Sequence, residues 1–296
     1  MQVNPLHPLF AAEIVGLDTA APITPEIVQA VEDAMARYGV CAIRDASLSD
    51  DDHIRFSRAF GPLELPPGSS RRAIRPELYD VTNLDPEGEI VPETQDRRNH
   101  TLGFERFHTD SSFNTLPTKW SLLLGHVVPP EGADTQFIDT RAVYDALPEA
   151  MKARIEGLTA VHDFWAGRER VGATGVTDEM RRRFPSATHP LVRTSARGRK
   201  TVYIGGHAVG IVGWPDAEAL ALLDELFDFA TQDRFIYSHR WRGGDLLMWD
   251  NRCTLHRATP FDKNRYKRDC RRTTINEYGE ERTGIAASAS QGETMR

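Results

Sequence analysis

The chain has 296 residues, 40% hydrophobic and 27% charged, with a formal net charge of −7. That is the make-up of a soluble globular protein long enough to bury an ordinary core. The acid excess excludes a nucleic-acid footprint, although a local basic run such as Arg181, Arg182 and Arg183 could draw in a small anion.

The opening, MQVNPLHPLFAAEIVG, has neither a basic n-region nor a long apolar stretch, so it does not read as a secretory signal. No apolar run approaches the length of a membrane span, and a cytoplasmic location is expected. TPEIVQAVEDAMARYG (24–39) reads as a helix, with Thr24 as N-cap, Pro25 at the first position and Gly39 as the stop. Ile27, Val31, Met35 and Tyr38 recur at helical spacing along it. A strand follows at 39–45, then a short helix at 49–61 capped by Ser49 with acids in its first turn. Residues 62–107 hold one strand candidate, LYDVTNL (78–84), between polar stretches long enough to be a functional or lid-like loop.

From 119 the texture turns strand-like. Segments 119–128, 134–139, 158–164, 189–194, 200–206, 234–241, 245–251, 254–259 and 270–277 are rich in β-branched and aromatic residues between turn formers. Helices are expected at 140–157 and at 215–231, where Leu222, Leu223, Leu226, Phe227 and Ala230 form a core stripe. An Arg-rich stretch at 166–187 has no clear period and reads as a second lid-like loop. The small, polar tail at 281–296 is expected to be disordered. Cys41, Cys253 and Cys270 are odd in number and far apart, as suits buried reduced thiols and not a disulfide framework. The expected class is α+β, mainly β: a double-stranded β-helix, or jelly roll, with flanking helices, forming one domain over residues 1–280.

One stretch asks for chemistry. FHTDSSF (107–113) places His108 and Asp110 two apart on a predicted strand, so their side chains point the same way. Burying such a pair costs several kcal/mol unless something compensates. Either that face is wet or a metal ion sits on it. Two ligands rarely suffice, and His256, in MWDNRCTLHRATPFD (248–262), is the outstanding candidate for a third. Two histidines and one carboxylate on one face of an octahedral ion leave positions open, which suits non-haem Fe(II) oxygenases. Such chemistry needs two further electrons, which an α-keto acid supplies if an arginine anchors its far carboxylate. In KRDCRRTTI (267–275) strand alternation puts Arg268, Cys270 and Arg272 on one face and Lys267, Asp269 and Arg271 on the other. Two inward arginines imply two carboxylates, one from a cosubstrate and one from a substrate.

HTD at 108–110, WDNRCTLHRA and the closing arginine strand resemble the taurine / 2,4-dichlorophenoxyacetate (TauD/TfdA) group of Fe(II)/2-oxoglutarate-dependent dioxygenases. The resemblance runs through the NPLHPLFAA opening, FGPLE (60–64), GADTQF, YDALP (144–148), HPLVRT and IGGHA (204–208), and leans to the aryloxyacetate branch. It implies that His108, Asp110 and His256 hold Fe(II), that Thr135 and Arg268 hold 2-oxoglutarate, and that Arg272 meets the acidic head of the substrate. O2 is then the second cosubstrate. The stretch from His256 to the arginines is one residue longer than the family pattern, so the choice of arginines rests on strand parity. His207, in IGGHA, is a candidate for the pocket wall, while His126 and His162 read as structural, Trp249 and Phe137 as core, and Asp250 with Asn251 as the turn before His256.

The implied reaction hydroxylates a small carboxylic acid, with succinate and CO2 as coproducts. On an aryloxyacetate, hydroxylation beside the ether oxygen gives a hemiacetal that collapses to a phenol and glyoxylate. A sulfonate, an aryloxypropionate or a biosynthetic carboxylate would serve the same chemistry. Outside this class stand a zinc hydrolase working through metal-bound water and a non-catalytic jelly roll that binds a small acid. A homo-oligomer is compatible with all of these; nucleic-acid and membrane partners are not expected.

Overall fold

The computed structural model describes residues 1–66 and 75–279. The tail expected to be disordered, 281–296, and part of the 62–107 stretch lie outside the described residues. In chain order the strands are β1 (Gln2–Pro5), β2 (Ala12–Val15), β3 (Val40–Ile43), β4 (Tyr79–Thr82), β5 (Thr118–Val127), β6 (Thr135–Asp139), β7 (Thr159–His162), β8 (Ala187–Pro190), β9 (Val192–Thr194), β10 (Lys200–Val202), β11 (Ala208–Ile211), β12 (Ile236–His239), β13 (Leu246–Asp250), β14 (Thr254–Ala258) and β15 (Asp269–Asn276). The helices are α1 (Pro25–Tyr38), α2 (Asp50–Arg58), α3 (Gln95–Glu105), α4 (Thr140–Ala146), α5 (Glu149–Ile155), α6 (Phe164–Glu169), α7 (Asp178–Arg183) and α8 (Asp216–Ala230).

A seven-stranded sheet has the order β1-β2-β3-β13-β5-β15-β4, and a three-stranded sheet the order β12-β6-β14. All pairs in the two sheets are antiparallel except β2 with β3. Strand alternation sorts the large sheet's side chains to two faces. Leu122, Leu124, Leu246 and Met248 pack under α1 and α2 with Val31, Met35, Ile54 and Phe56. Leu123, Leu247, Trp249 and Cys270 point the other way and meet Phe137 from the small sheet. The space between the sheets therefore starts as a dry core and becomes the site where β6, β14 and β15 end. A third core, around Ile138, Leu222, Leu226 and Leu255, fixes the outer face of the small sheet against α8.

Local rules account for the helix ends. Thr24 Oγ1 accepts from Ile27 N–H, Pro25 begins α1, and Gly39, at φ 70°, closes it with an N–H to Met35 O. Ser49 caps α2, and Asp50, Asp51 and Asp52 occupy its first turn. Three expectations change. The 62–107 stretch is not a structureless loop: Thr94 caps α3, whose period is masked by Gly103 and by polar residues along its length. The 166–187 stretch likewise contains part of α6 and all of α7, capped by Asp163 and Thr177. The helix expected over 140–157 breaks at Pro148 into α4 and α5, because proline lacks the N–H that would continue the first helix. Several strands are also shorter than their sequence texture; β7 stops at His162 because Asp163 already caps α6.

Candidate active site

His108 and Asp110 do not sit on a regular strand. His108 forms a single antiparallel bridge to His256, and Asp110 opens a turn in which Ser111 has φ 53°. The two therefore converge through a turn and not through strand pleat. That turn is tied from behind. Buried Glu64 accepts from Ser111 Oγ and Asn114 Nδ2, both at 2.9 Å, and Thr118 Oγ1 donates to Asp110 O at 3.0 Å. Burial pushes the Glu64 carboxyl pKa up, and the two donors offset part of that rise. The backbones of His108 and His256 exchange hydrogen bonds of 3.0 and 2.8 Å, which brings the two rings side by side, centres 4.2 Å apart and planes tilted by 46°.

One ligand atom from each of His108, Asp110 and His256 lies within 4.8 Å of the others, and all three residues are buried. His256 Nε2 stands 3.7 Å from Asp110 Oδ2. His108 Nδ1 contacts Arg106 O at 2.8 Å; a carbonyl can only accept, so Nδ1 carries the proton. Its Nε2 lone pair is left buried without a protein partner. A metal-ligating histidine has this arrangement, its other ring N–H given to a carbonyl. Burial pushes both imidazole pKa values down, so the rings are neutral and their lone pairs are free. Burial alone would raise the Asp110 pKa, but the Arg272 guanidinium foremost, helped by the hydrogen bond from Ser121, outweighs it and holds the carboxyl well below the usual range. Two neutral imidazoles and an ionised carboxylate fit a divalent cation of the Fe(II) kind.

The triad opens into a cavity of about 520 Å³. Its walls include Tyr79, Val81, Phe104 and Leu123 and, among its cations, Arg268 and Arg272. Arg271 faces the other way and pairs with Asp50 of α2. Arg268 is buried, its Nε has no partner, and no carboxylate lies within ion-pair distance of it among the described residues. Such a cation is costly until an anion arrives. Thr135 is on the same cavity wall. The Trp241 indole N–H donates to its Oγ1 at 3.0 Å, which leaves the threonine proton for another acceptor. Arg272 is the cross-strand partner of Tyr79, stacks 5.1 Å from that ring's centre, and donates from Nη1 to Asp110 Oδ1.

His207 does not line the cavity. It is buried behind His108, edge-on at 5.8 Å, with Nε2 3.4 Å from Arg168 Nη1 and Nδ1 3.4 Å from Ser112 Oγ. Arg168 is packed face-on against Phe164, 3.6 Å from the ring centre, and lies over Gly103, where a Cβ would meet the guanidinium at 2.7 Å and push it aside. Sequence reasoning missed Glu64, Ser121 and Arg168. Glu64 stands in the family-like FGPLE segment, the only available hint; the others act through contacts with residues distant in sequence.

The comparisons with known proteins agree with this geometry. The family described as "Taurine catabolism dioxygenase TauD, TfdA family" matches residues 2–274. An alpha-ketoglutarate-dependent 2,4-dichlorophenoxyacetate dioxygenase of Cupriavidus pinatubonensis (strain JMP 134 / LMG 1197) is 41% identical over 283 residues, covering 93% of this chain and 97% of that protein. An (S)-phenoxypropionate/alpha-ketoglutarate-dioxygenase of Sphingobium herbicidovorans is 34% identical, covering 88% of this chain and 90% of that one. The crystal structure of AAD-2 in complex with Mn(II) and N-oxalylglycine superposes with a TM-score of 0.87 at 35% identity, over 95% of this chain and 99% of that one. Fold and site together define a metal- and 2-oxoglutarate-dependent dioxygenase. The chain belongs to the TauD/TfdA family. Among the described residues, no helix is long and apolar enough to cross a membrane.

Proposed function

We propose that this enzyme hydroxylates an aryloxyacetate, of which 2,4-dichlorophenoxyacetate is the model, and so releases a phenol and glyoxylate. The observation that carries this reading is a pair of arginines, Arg268 and Arg272, facing one part-apolar cavity beside the triad. Iron, 2-oxoglutarate and O2 together supply the oxidation of a substrate C–H bond, with succinate and CO2 as coproducts. His108, Asp110 and His256 hold the metal. Arg268 holds the distal carboxylate of 2-oxoglutarate, assisted by the free proton of Thr135. Arg272 touches Asp110 and so is the arginine beside the metal; its remaining donors take the substrate carboxylate. The carbon next to a carboxylate held there is the carbon presented to the metal. Tyr79, Val81, Leu123 and Phe104 offer the aryl ring an apolar, partly aromatic wall.

Hydroxylation of ArO–CH2–COO⁻ at that carbon gives ArO–CH(OH)–COO⁻. Loss of the hydroxyl proton and cleavage of the ArO–C bond then leave a phenol and glyoxylate. We further infer that residues 1–280 work as one jelly-roll unit, with 62–107 and 166–187 shaping the substrate side. The test is oxygen uptake and succinate release with Fe(II) and 2-oxoglutarate across a panel of aryloxyacetates, aryloxypropionates and sulfonates, with products identified by mass. A phenol with glyoxylate from the aryloxyacetates is the expected result. Succinate release driven by sulfonates alone, with the aryloxyacetates inert, rejects the reading.

A further inference from the structure

The two oxygens of Asp110 are held by different partners, and the hydrogen-bond chain behind Oδ2 has only one workable polarity. The Trp249 indole, which can only donate, meets Asn251 Oδ1 at 3.0 Å. The Asp110 backbone N–H donates to the same Oδ1 at 3.3 Å. Those two donors settle the orientation of the Asn251 amide: Oδ1 accepts and Nδ2 donates. Nδ2 reaches Ser121 Oγ at 2.9 Å, so the serine oxygen accepts there. Its single proton is then left for Asp110 Oδ2, 2.7 Å away. Asn251 and Ser121 are fully buried and Trp249 and Asp110 nearly so, so water does not compete for any link.

On the far side of the carboxylate, Arg272 donates to Oδ1. A guanidinium prefers to take a carboxylate with both oxygens, fork to fork. The terminal torsion of an aspartate is soft, so the carboxylate can turn to allow it. Only a donor fixed on Oδ2 keeps that oxygen toward His256 Nε2, where it stands at 3.7 Å. We propose that Ser121, aimed by Asn251 and Trp249, is a positioning residue that holds the Asp110 carboxylate open to the metal against capture by Arg272. This goes beyond placing Asp110 in the triad, and it rests on the metal reading of that triad. It also gives Asn251 a task beyond forming the turn that leads to His256.

Anaerobic Mn(II) titration in the presence of 2-oxoglutarate, followed by the free-ion EPR signal, tests the proposal without turnover. Ser121→Ala is expected to weaken Mn(II) binding by about 10-fold or more, the usual scale for losing an outer partner of a metal ligand. Ser121→Thr keeps the hydroxyl and should restore affinity to near wild type. If Ser121→Ala does not fold, Ser121→Cys preserves the volume with a weak donor and should show a smaller loss in the same direction. Ser121→Ala, or Ser121→Cys in its place, binding Mn(II) as tightly as wild type overturns the proposal. So does Ser121→Thr losing as much as Ser121→Ala, since the loss would then follow packing and not the hydroxyl. Wild-type protein that binds no Mn(II), or binds it undiminished in His256→Ala, fails the metal reading itself, a distinguishable outcome.

Discussion

Two buried groups of rings in this molecule use almost the same residues to opposite ends. His108 and His256 meet Asp110 and open onto a cavity. His162, His189 and Tyr203 sit ring to ring, with centres 5.3 to 5.5 Å apart, and none of them lines that cavity. His189 Nε2 is occupied by the carbonyls of Ser112 and Asn114. Glu277, the acid that acts on His189, is paired with Arg193 at 2.7 Å. Burial pushes the His162 pKa down to about 3, so the ring is a neutral packing element. The contrast lies in the donor set: the second group brings imidazoles together with no free carboxylate among them, and the first brings them to Asp110. What sets the first group apart is a carboxylate kept ionised chiefly by Arg272, beside a cavity.

The sharpest way to break this comparison is to exchange the fates of the two groups. His256→Ala should abolish 2-oxoglutarate-dependent succinate formation, a loss of several orders of magnitude, while circular dichroism still reports a folded chain. His162→Phe should leave Mn(II) affinity of the folded protein within about twofold of wild type, since its ring touches no ligand. Near-normal succinate formation in His256→Ala would remove the distinction between the groups. A smaller effect separates the two arginines. Arg268→Ala should raise the KM for 2-oxoglutarate by more than 10-fold, as expected when a charge-assisted fork worth about 1.5–3 kcal/mol is lost. Arg272→Ala should act mainly on the KM for the acidic substrate. If both variants moved only one of the two constants, the division of labour between them would be wrong.

Much of the first group was legible in the sequence, and the reasons are physical. HTD and the late histidine in WDNRCTLHRA name the triad by residue type, and strand parity separates Arg268 and Arg272 from Arg271, which turns to Asp50 on the opposite face. The geometry that brings His108 to Asp110 was not legible. It depends on a left-handed turn at Ser111, tied down by Glu64 from 47 positions away in the chain. Ser121 reads as one more small residue in a buried strand until Asn251 fixes its proton. Helix α3 was hidden because it is short of apolar residues at helical spacing; its stability comes from contacts outside itself, such as Asn99 Nδ2 donating to Thr174 O at 2.8 Å. Periodicity reports the faces of regular elements. It does not report turns, outer hydrogen-bond partners, or helices held by their neighbours.

The smallest expected effect is on acid stability, and it belongs to the second group. The His162 pKa is about 3 in the folded chain, against an ordinary value near 6.5 that the unfolded chain regains. Between those values the unfolded chain binds the extra proton, so folding stability falls as pH is lowered from about 6.5 toward 3 and levels off below that. The slope contributed by one such imidazole is at most about 1.4 kcal/mol per pH unit. His53, pushed down to about 4 chiefly by burial, acts in the same direction. Asp110 works in a different window: its depressed pKa stabilises the fold above the ordinary carboxylate value, and that contribution is lost only below about pH 4. Denaturant midpoints of metal-free protein measured from pH 7 to 5 should therefore fall with acid, and fall less steeply in His162→Phe than in wild type. Parallel acid limbs in the two proteins would mean that His162 is protonated inside the fold, and the second group would then be a charged site and not a packing element.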